Sequence, residues 1–352
     1  MFRWTTWPAR GKRSGRGGVG PEVNDVALSV LDLAPLAAHG TPTEALHATT
    51  ELARRVEALG YRRFWVAEHH NMPSIASSSP AVLIAHLAAA TSTIRVGSGG
   101  VMLPNHAPLV VAEQFGLLEA LHPGRIDLGI GRAPGTDQHT ALALRRTPAG
   151  LSAENFPAEL NDLIGYFAGD TRILAVPGPG NEPAIWLLGS SGFSARLAGE
   201  LGLPFSFAHH FMAANTEQAM QIYRTSFTPS RWLAEPYASV AVNVVCSDTD
   251  ERARYLAGPA AHAFLTLRLG APKALVTPDE AQAYPFTAQE RAFVEDRWRG
   301  QAIGSPDTVR QALTDLLART RADELMLSTM VYDLEDRARS FELVTEKVAL
   351  TG

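Results

Sequence analysis

The sequence has little of what marks a secreted, membrane or nucleic-acid-binding protein. Its single cysteine, Cys246, excludes an intrachain disulfide framework and a cysteine-rich metal site, and it favours a reducing cytoplasm. No apolar run approaches the roughly 20 residues that span a bilayer. A formal net charge of −5 gives no general attraction for nucleic acid or for an anionic membrane. We therefore expect a cytoplasmic protein whose partners are small molecules.

The amino-terminal stretch 1–24 is basic and glycine-rich, and it lacks the apolar segment of a secretory signal. We predict a disordered tail there, followed by one domain over 25–352. A nucleic-acid-binding arm is the alternative, and it is disfavoured because the stretch is short and has few interleaved aromatic residues. The chain has 46% hydrophobic and 19% charged residues, so it can bury a large core.

From Val26 onward, short apolar runs alternate with longer helical patterns. This alternation is typical of βα units and predicts a parallel sheet. The predicted strands are Val26–Ala34, Arg63–Glu68, Ile94–Leu103, Arg125–Arg132, Ile185–Gly189, Pro204–Ala208, Ala238–Cys246 and Glu324–Met330. Eight such units predict an α/β protein with a (β/α)8 TIM barrel, in which the active site lies at the carboxyl ends of the strands.

Two connections are too long for ordinary βα loops. They are Ala133–Pro183, after the fourth strand, and Thr249–Ala322, after the seventh. Both contain helical patterns of their own, over Ala153–Ala168, Thr287–Arg299 and Pro306–Thr320. Because active-site lids grow from this end of a barrel, we expect both insertions to cover the pocket.

The second strand ends in Glu68, His69 and His70. A histidine at the rim of a barrel can move protons near neutral pH, which makes His69 a catalytic candidate. Packing or hydrogen bonding alone is the alternative role, and it is favoured for His70. A metal site is disfavoured, because no His-Glu-x-x-His helix and no further ligand cluster lies nearby in the sequence.

The third strand contains paired glycines, Gly99 and Gly100. Without Cβ atoms, the backbone there can approach a flat ligand, form a β-bulge or adopt a cis peptide. A bulge that serves only barrel closure explains these residues equally well. The later run Gly129–Gly135 does not match the G-x-G-x-x-G fingerprint, which disfavours a Rossmann dehydrogenase.

An anion site is predicted where the fourth and fifth strands end. Arg132 closes the fourth strand, and its planar guanidinium suits a phosphate. The turn Ser190–Ser194 begins the helix after the fifth strand, where backbone N–H groups and the helix dipole favour an anion. A salt bridge at the rim and simple helix capping are the alternatives. Because the two strands are neighbours, Arg132 and this turn would face the same anion.

Other strand ends carry weaker candidates for a substrate pocket. They are Asp32 after the first strand, His209 and His210 after the sixth, and Met330 and Tyr332 after the eighth. Ending a strand is the alternative role for each. We take Asp32, His209 and Met330 as the pocket candidates.

Four motifs, in order along the chain, resemble the bacterial-luciferase-like family of flavin-dependent oxidoreductases and monooxygenases, in its single-chain branch. They are Leu31–Pro35, Ala67–His70, Val96–Pro104 and Pro123–Arg132. The resemblance covers nearly the whole chain, from Val26 to Asp333. It implies a (β/α)8 barrel that binds FMN in its reduced form.

The resemblance also implies roles for individual residues. His69 matches the active-site histidine that handles protons, and Glu68 matches its neighbour that shapes the flavin cavity. Gly99 and Gly100 match a non-prolyl cis peptide that supports the isoalloxazine ring. The residues that match the flavin phosphate site are Arg132, Ser190, Ser191, Phe193 and Ser194.

The implied reaction uses reduced FMN and O2 to form a C4a-(hydro)peroxyflavin, which oxygenates a small organic substrate. A separate NAD(P)H:flavin reductase would supply the reduced flavin. Two alternatives stay open, an F420-dependent dehydrogenase or reductase of the same superfamily and a flavin-binding protein without turnover. Relatives commonly dimerise, so the resemblance also implies a homodimer.

Overall fold

Eight parallel strands close into a barrel in the computed structural model, which describes residues 26–133, 137–145 and 153–348. The predicted amino-terminal tail lies outside these residues. In order around the barrel, the strands are β1 (Ala27–Asp32), β2 (Arg63–Val66), β3 (Arg95–Met102), β4 (Ile126–Gly131), β5 (Ala184–Gly189), β6 (Phe205–Phe207), β7 (Ala238–Cys246) and β9 (Glu324–Ser328), which pairs with β1. A short strand, β8 (Ala302–Gly304), pairs with the far end of β7 outside this closed sheet. The predicted (β/α)8 fold is confirmed.

Helices connect the strands, and local capping explains where several of them begin. In the first helix, the Thr41 side chain accepts from the backbone N–H of Glu44, and the Glu44 carboxylate accepts from the backbone N–H of Thr41 at 2.7 Å. The helices are α1 (Pro42–Ala58), α2 (Pro80–Ala90), α3 (Pro108–Leu121), α4 (Gln138–Arg145), α5 (Phe156–Ala168), α6 (Gly192–Leu201), α7 (Thr216–Ser226), α8 (Asp250–Arg268), α9 (Pro278–Ala283), α10 (Ala288–Trp298), α11 (Pro306–Thr320) and α12 (Leu334–Lys347).

The bounds of β7 and α11 are those predicted from the sequence, and the other predicted strands are found within a few residues of their expected ends. Three elements of the second insertion, α8, α9 and β8, were not predicted. Helix α8 contains Pro259, which interrupts the helical pattern in the sequence. Strand β8 has only three residues, too few for a recognisable alternation.

The interior of the barrel is filled by a small apolar cluster at mid-height. Its buried members are Leu31, Trp65, Ala67, Trp186, Ala241 and Met326. The rings of Trp65 and Trp186 meet edge to face, with their centroids 5.2 Å apart. Together these two indoles form an aromatic floor across the barrel.

Below the aromatic floor, a buried ionic network closes the amino-terminal end of the barrel. Arg63 donates to Glu324 (Nε to Oε1, 2.7 Å) and to Asp127 (Nη1 to Oδ2, 2.7 Å). Asp127 also accepts from Arg95 (Nη2 to Oδ1, 2.6 Å) and from the indole N–H of Trp65 (2.9 Å). Burial acts to raise the pKa of Asp127, but the charges of Arg63 and Arg95 hold it below its usual value. The guanidinium and carboxylate groups of this network are therefore paired with one another.

Membrane-spanning helices and metal-binding clusters are both absent from the residues that the structure describes. Within the described ranges, no helix is both long enough and apolar enough to cross a membrane. The same residues contain no group of three or more His, Cys, Asp or Glu side chains that could hold a metal ion.

Candidate functional site

A cavity of about 300 Å³ opens at the carboxyl ends of the strands, above the aromatic floor. Its volume is at the lower end of the range for small-molecule sites. The structure brings seven of the predicted site residues onto its wall, namely His69, Gly99, Gly100, Arg132, Ser190, Ser191 and Ser194. One residue of the first insertion, Ala133, also lines it, whereas the lining includes none from the second insertion.

A larger cavity, of about 580 Å³, lies outside the barrel between β8 and α11. Its charged side chains already have partners, as shown by the ion pairs of Arg299 with Asp296 and of Arg319 with Glu217. The cavity inside the barrel mouth is therefore the better candidate for a functional site.

The part of the wall formed by β3 is flat, because glycines stand where side chains would project. The Gly99–Gly100 peptide is cis, and the register between β3 and β4 shifts between Gly99 and Val101. A Cβ atom on Gly99 would lie 2.6 Å from Leu31 Cδ1, and one on Gly100 would lie 2.7 Å from the carbonyl oxygen of Gly129. Neither position has room for a side chain, so backbone atoms face the cavity there.

Arg132 and the start of α6 lie together on the wall formed by β4 and β5. The Arg132 guanidinium stacks on the Phe193 ring, 4.4 Å from its centroid, and has no carboxylate partner among the described residues. Ser191 is the N-cap residue of α6, yet its side chain makes no capping hydrogen bond. Ser190 and Ser194 add two further hydroxyl groups. A free guanidinium beside a helix N-terminus forms a site for a phosphate.

His69 lies on the cavity wall, and one of its ring nitrogens has no partner among the described residues. Its backbone N–H donates to the carbonyl of Ser77 at 3.0 Å, which fixes the chain just beyond β2. Its Nδ1 is buried and has no hydrogen-bond partner in the described part of the chain. Burial lowers the pKa of His69, although the charge of Glu68 opposes this, so the ring is neutral at neutral pH. Such a nitrogen can accept a proton and pass it on.

Glu68 lies behind the wall and is not among the lining residues. Its buried carboxylate accepts from the backbone N–H of Met102 (2.9 Å) and from the side chains of Asn105 (3.1 Å), His106 (3.0 Å) and His70 (2.9 Å). Burial acts to raise the pKa of Glu68, but these hydrogen bonds and the charge of His106 lower it below its usual value. Glu68, which the resemblance placed beside the flavin, thus lies behind the wall and anchors the end of β3.

The three predicted substrate residues, Asp32, His209 and Met330, are not on the cavity wall. Asp32 is buried in an ion pair with Arg337, with 3.2 Å between Oδ1 and Nη1. His209 donates through Nε2 to the carbonyl of Gly300 at 2.7 Å. Both side chains therefore belong to contacts outside the barrel interior.

His210, Phe211 and Met326 line the cavity instead. Sequence analysis named His210 among the weaker strand-end candidates without selecting it, and it did not name Phe211 or Met326. His210 donates through Nδ1 to the carbonyl of Ala241 at 3.1 Å. Burial lowers the pKa of His210 to about 4, so its ring is neutral at neutral pH. The signal for His210 is present in the sequence, because Ser206, Ala208 and His210 follow one another at the period of two that a strand requires.

These features fit a flat cofactor that carries a phosphate. The glycine wall admits a planar ring, and the unpaired Arg132 with the serine-rich start of α6 suits the phosphate. His69 lies on the same wall, and its buried Nδ1 has no partner among the described residues. The residues present therefore fit the FMN site that the resemblance implies.

Comparison with known proteins identifies the family. The family model for luciferase-like monooxygenases matches residues 26–324. The chain is 51% identical over 326 residues to the uncharacterized protein YvbT of Bacillus subtilis (strain 168), covering 92% of this chain and 96% of that protein. It is 44% identical over 324 residues to a luciferase-like monooxygenase of Escherichia coli (strain K12), covering 91% and 96%.

Solved structures agree with this result. Apo-MsnO8 superimposes with a TM-score of 0.86 at 39% identity, covering 93% of this chain and 99% of that one. The oxygenating constituent of 3,6-diketocamphane monooxygenase from Pseudomonas putida, in complex with FMN, shares the fold with a TM-score of 0.68 at 19% identity, covering 92% and 98%. An F420-dependent secondary alcohol dehydrogenase shares it with a TM-score of 0.63 at 13% identity, covering 93% and 99%. The sequence matches extend over most of the chain, and the protein therefore belongs to the luciferase-like monooxygenase family.

Proposed function

We propose that the protein is a monooxygenase that uses reduced FMN and O2 to oxygenate a small organic substrate. The observation that carries the proposal is one cavity that combines an unpaired guanidinium with a wall made of backbone. The family and the name of the Escherichia coli relative support oxygenase chemistry, and a distant structural neighbour is complexed with FMN. When bound, reduced FMN supplies the two electrons with which one oxygen atom enters the substrate and the other becomes water.

The phosphate of FMN would be held at the wall formed by β4 and β5. Arg132 supplies a charge that no described carboxylate neutralises, and Phe193 holds its guanidinium in place by stacking. The hydroxyls of Ser190, Ser191 and Ser194 and the first N–H groups of α6 supply further donors. A dianion bound there gains both charge attraction and several hydrogen bonds.

The ring of the cofactor would lie against Gly99 and Gly100. Contact with backbone atoms would fix the position of the ring, since no mobile side chain stands between them. His69 would hold or move a proton at Nδ1, where its lowered pKa keeps the imidazole neutral and able to accept. Reduced flavin would come from a separate NAD(P)H:flavin reductase, because the chain lacks a dinucleotide-binding fingerprint.

The proposed function is tested by anaerobic titration of the purified protein with reduced FMN and with reduced F420, followed by exposure to O2. We expect tighter binding of reduced FMN and consumption of O2 that depends on it. Tighter binding of reduced F420 without O2 consumption would instead favour the F420-dependent dehydrogenase. Flavin binding with O2 consumption no faster than that of free reduced FMN would favour a flavin-binding protein without turnover.

The phosphate site is tested by comparing FMN with riboflavin, which differ only by the phosphate. In the wild-type protein, FMN should bind more tightly than riboflavin. Arg132→Gln should weaken FMN binding about 10- to 100-fold and leave riboflavin binding unchanged, because a charge-assisted contact is lost. Arg299→Gln, at an exposed arginine paired with Asp296, is the matched control and should change neither affinity.

A further inference from the structure

The wall of the cavity has two halves of different chemistry. Strands β3, β4 and β5 carry the glycine wall, Arg132 and the serine-rich start of α6. Strands β6, β7, β9 and β1, with the residues just beyond them, supply the other half, which we call the apolar half. Its lining residues are Leu31, Leu33, Ser206, Ala208, His210, Phe211, Ala241 and Met326. Among these described residues, His210 is the only one with a titratable side chain.

His210 is held firmly in the apolar half. The carbonyl oxygen of Ala241 accepts two hydrogen bonds from it, one from its backbone N–H at 3.0 Å and one from its Nδ1 at 3.1 Å. The Phe211 ring packs beside the imidazole, with 4.4 Å between the ring centroids. The hydroxyl of Ser206, also in this half, already accepts from Ser239 at 2.7 Å. The imidazole therefore offers a ligand a polar group in a fixed position.

The contact with Ala241 also decides which nitrogen of His210 carries the proton. A carbonyl oxygen can only accept, so Nδ1 is the donor. Burial lowers the pKa of His210 to about 4, so at neutral pH the ring is neutral and Nε2 has a lone pair and no proton. Nε2 has no hydrogen-bond partner among the described residues, and unlike the Nδ1 of His69 it is not fully enclosed. It is an open hydrogen-bond acceptor on a residue that lines the cavity.

We propose that Nε2 of His210 accepts a hydrogen bond from the substrate, which is an uncharged molecule with an apolar body and a hydroxyl or N–H group. This inference rests on the proposed function, because it assigns the second ligand of the same cavity. A substrate carboxylate would lose its water shell in the apolar half, where no described lining residue supplies a positive charge. An ether or a ketone has no proton to donate to Nε2. His210 thus selects substrates by their hydrogen-bond donor.

The test compares hexanol with its isomer methyl pentyl ether, which contains the same atoms but has no proton to donate. Isothermal titration of the FMN-loaded protein should show hexanol binding about 3- to 10-fold more tightly. His210→Asn keeps a donor for the Ala241 carbonyl but has no atom at the position of Nε2, so it should abolish this preference by weakening only hexanol binding. His210→Gln, whose longer side chain can accept near that position, should retain part of it. His47→Asn, at an exposed histidine of α1, is the matched control and should retain all of it.

Three results in these titrations would overturn the inference. They are equal affinities for hexanol and the ether in the wild-type protein, no measurable hexanol binding at millimolar concentration, and a preference that survives His210→Asn. Equal weakening of both ligands in His210→Asn would also contradict it, because the residue would then only shape the cavity.

FMN affinity is measured in the same samples. A loss of FMN affinity in His210→Asn would assign Nε2 to the cofactor and overturn the inference. Failure of the wild-type protein to bind FMN would overturn the proposed function and this inference with it. Normal FMN binding without a preference for hexanol would overturn this inference alone.

Discussion

The two ends of the barrel differ in whether their arginine side chains are paired with carboxylates. At the amino-terminal end, Arg63 and Arg95 are bound to carboxylates at distances of 2.6 to 2.7 Å. At the carboxyl-terminal end, the guanidinium group of Arg132 lies on the Phe193 ring without an acidic partner among the described residues. The arginine charges that stabilise the fold are thus neutralised within the protein, whereas the arginine proposed to bind a phosphate has no neutralising carboxylate among the described residues.

The largest expected effect comes from disrupting the buried ionic network at the amino-terminal end of the barrel. Arg63→Met leaves the buried carboxylate of Glu324 without its counter-ion and leaves Asp127 with Arg95 alone, so we expect the free energy of unfolding to fall by about 3 to 5 kcal/mol. Arg132→Met is the matched control. This substitution leaves no described carboxylate without its partner, so it should lower the free energy of unfolding by less than about 1 kcal/mol. Denaturant titration measures both values, and equal losses would contradict the contrast between the two ends.

A substitution at the carboxyl-terminal end of the barrel should affect turnover more than stability. His69→Asn is expected to lower kcat about 100-fold, because asparagine cannot take up a proton at Nδ1. The wild-type kcat/KM should fall on the acid side, as the pH drops through the lowered pKa of His69, and the variant should lack this dependence. The pH profile of O2-dependent turnover measures it. His70→Asn is the control and should keep the wild-type pH profile. An unchanged pH profile in His69→Asn would contradict the proposal that His69 takes up a proton.

The glycine wall should show an intermediate effect. Gly100→Ala places a Cβ 2.7 Å from the backbone oxygen of Gly129, which cannot move far, so we expect a loss of about 1 to 3 kcal/mol in unfolding free energy. Gly99→Ala meets the end of the Leu31 side chain, which can rotate, so its loss should be smaller. Thermal unfolding ranks the two variants. A greater loss of stability in Gly99→Ala than in Gly100→Ala would contradict this difference between a flexible and a rigid neighbour.

The smallest expected effect concerns the anchor behind that wall. The pKa of Glu68 is below its usual value of 4.5 in the folded protein. Its carboxylate therefore adds stability that is fully present above this value and is lost as the pH falls through the lowered pKa. Glu68→Gln should cost about 1 to 2 kcal/mol at neutral pH, and progressively less in acid. Denaturant titrations at several pH values test this, and a pH-independent difference would exclude the carboxylate charge as its cause.

The barrel itself could be predicted from the sequence because its elements obey simple patterns. The apolar run of β7 and the Pro306 start of α11 gave both elements their observed bounds. The site was harder, because several candidates lie beyond the ends of the strands. The alternation nevertheless continues there, since Trp65 and His69 face the cavity and Glu68 lies behind it.

The same alternation explains why the substrate candidates were misplaced. Leu31 and Leu33 line the cavity, so Asp32 between them faces outward. His210 faces inward for the same reason, and His209 faces outward.

The second insertion leaves the barrel from β7 and returns to it at β9, and these two strands are hydrogen-bonded neighbours. Its two ends therefore meet at adjacent points of the closed sheet. Such a segment can be shortened, lengthened or exchanged while the strand order and the glycine wall stay the same. Proteins with this barrel can in this way vary one long segment of the chain without a change in the closed sheet.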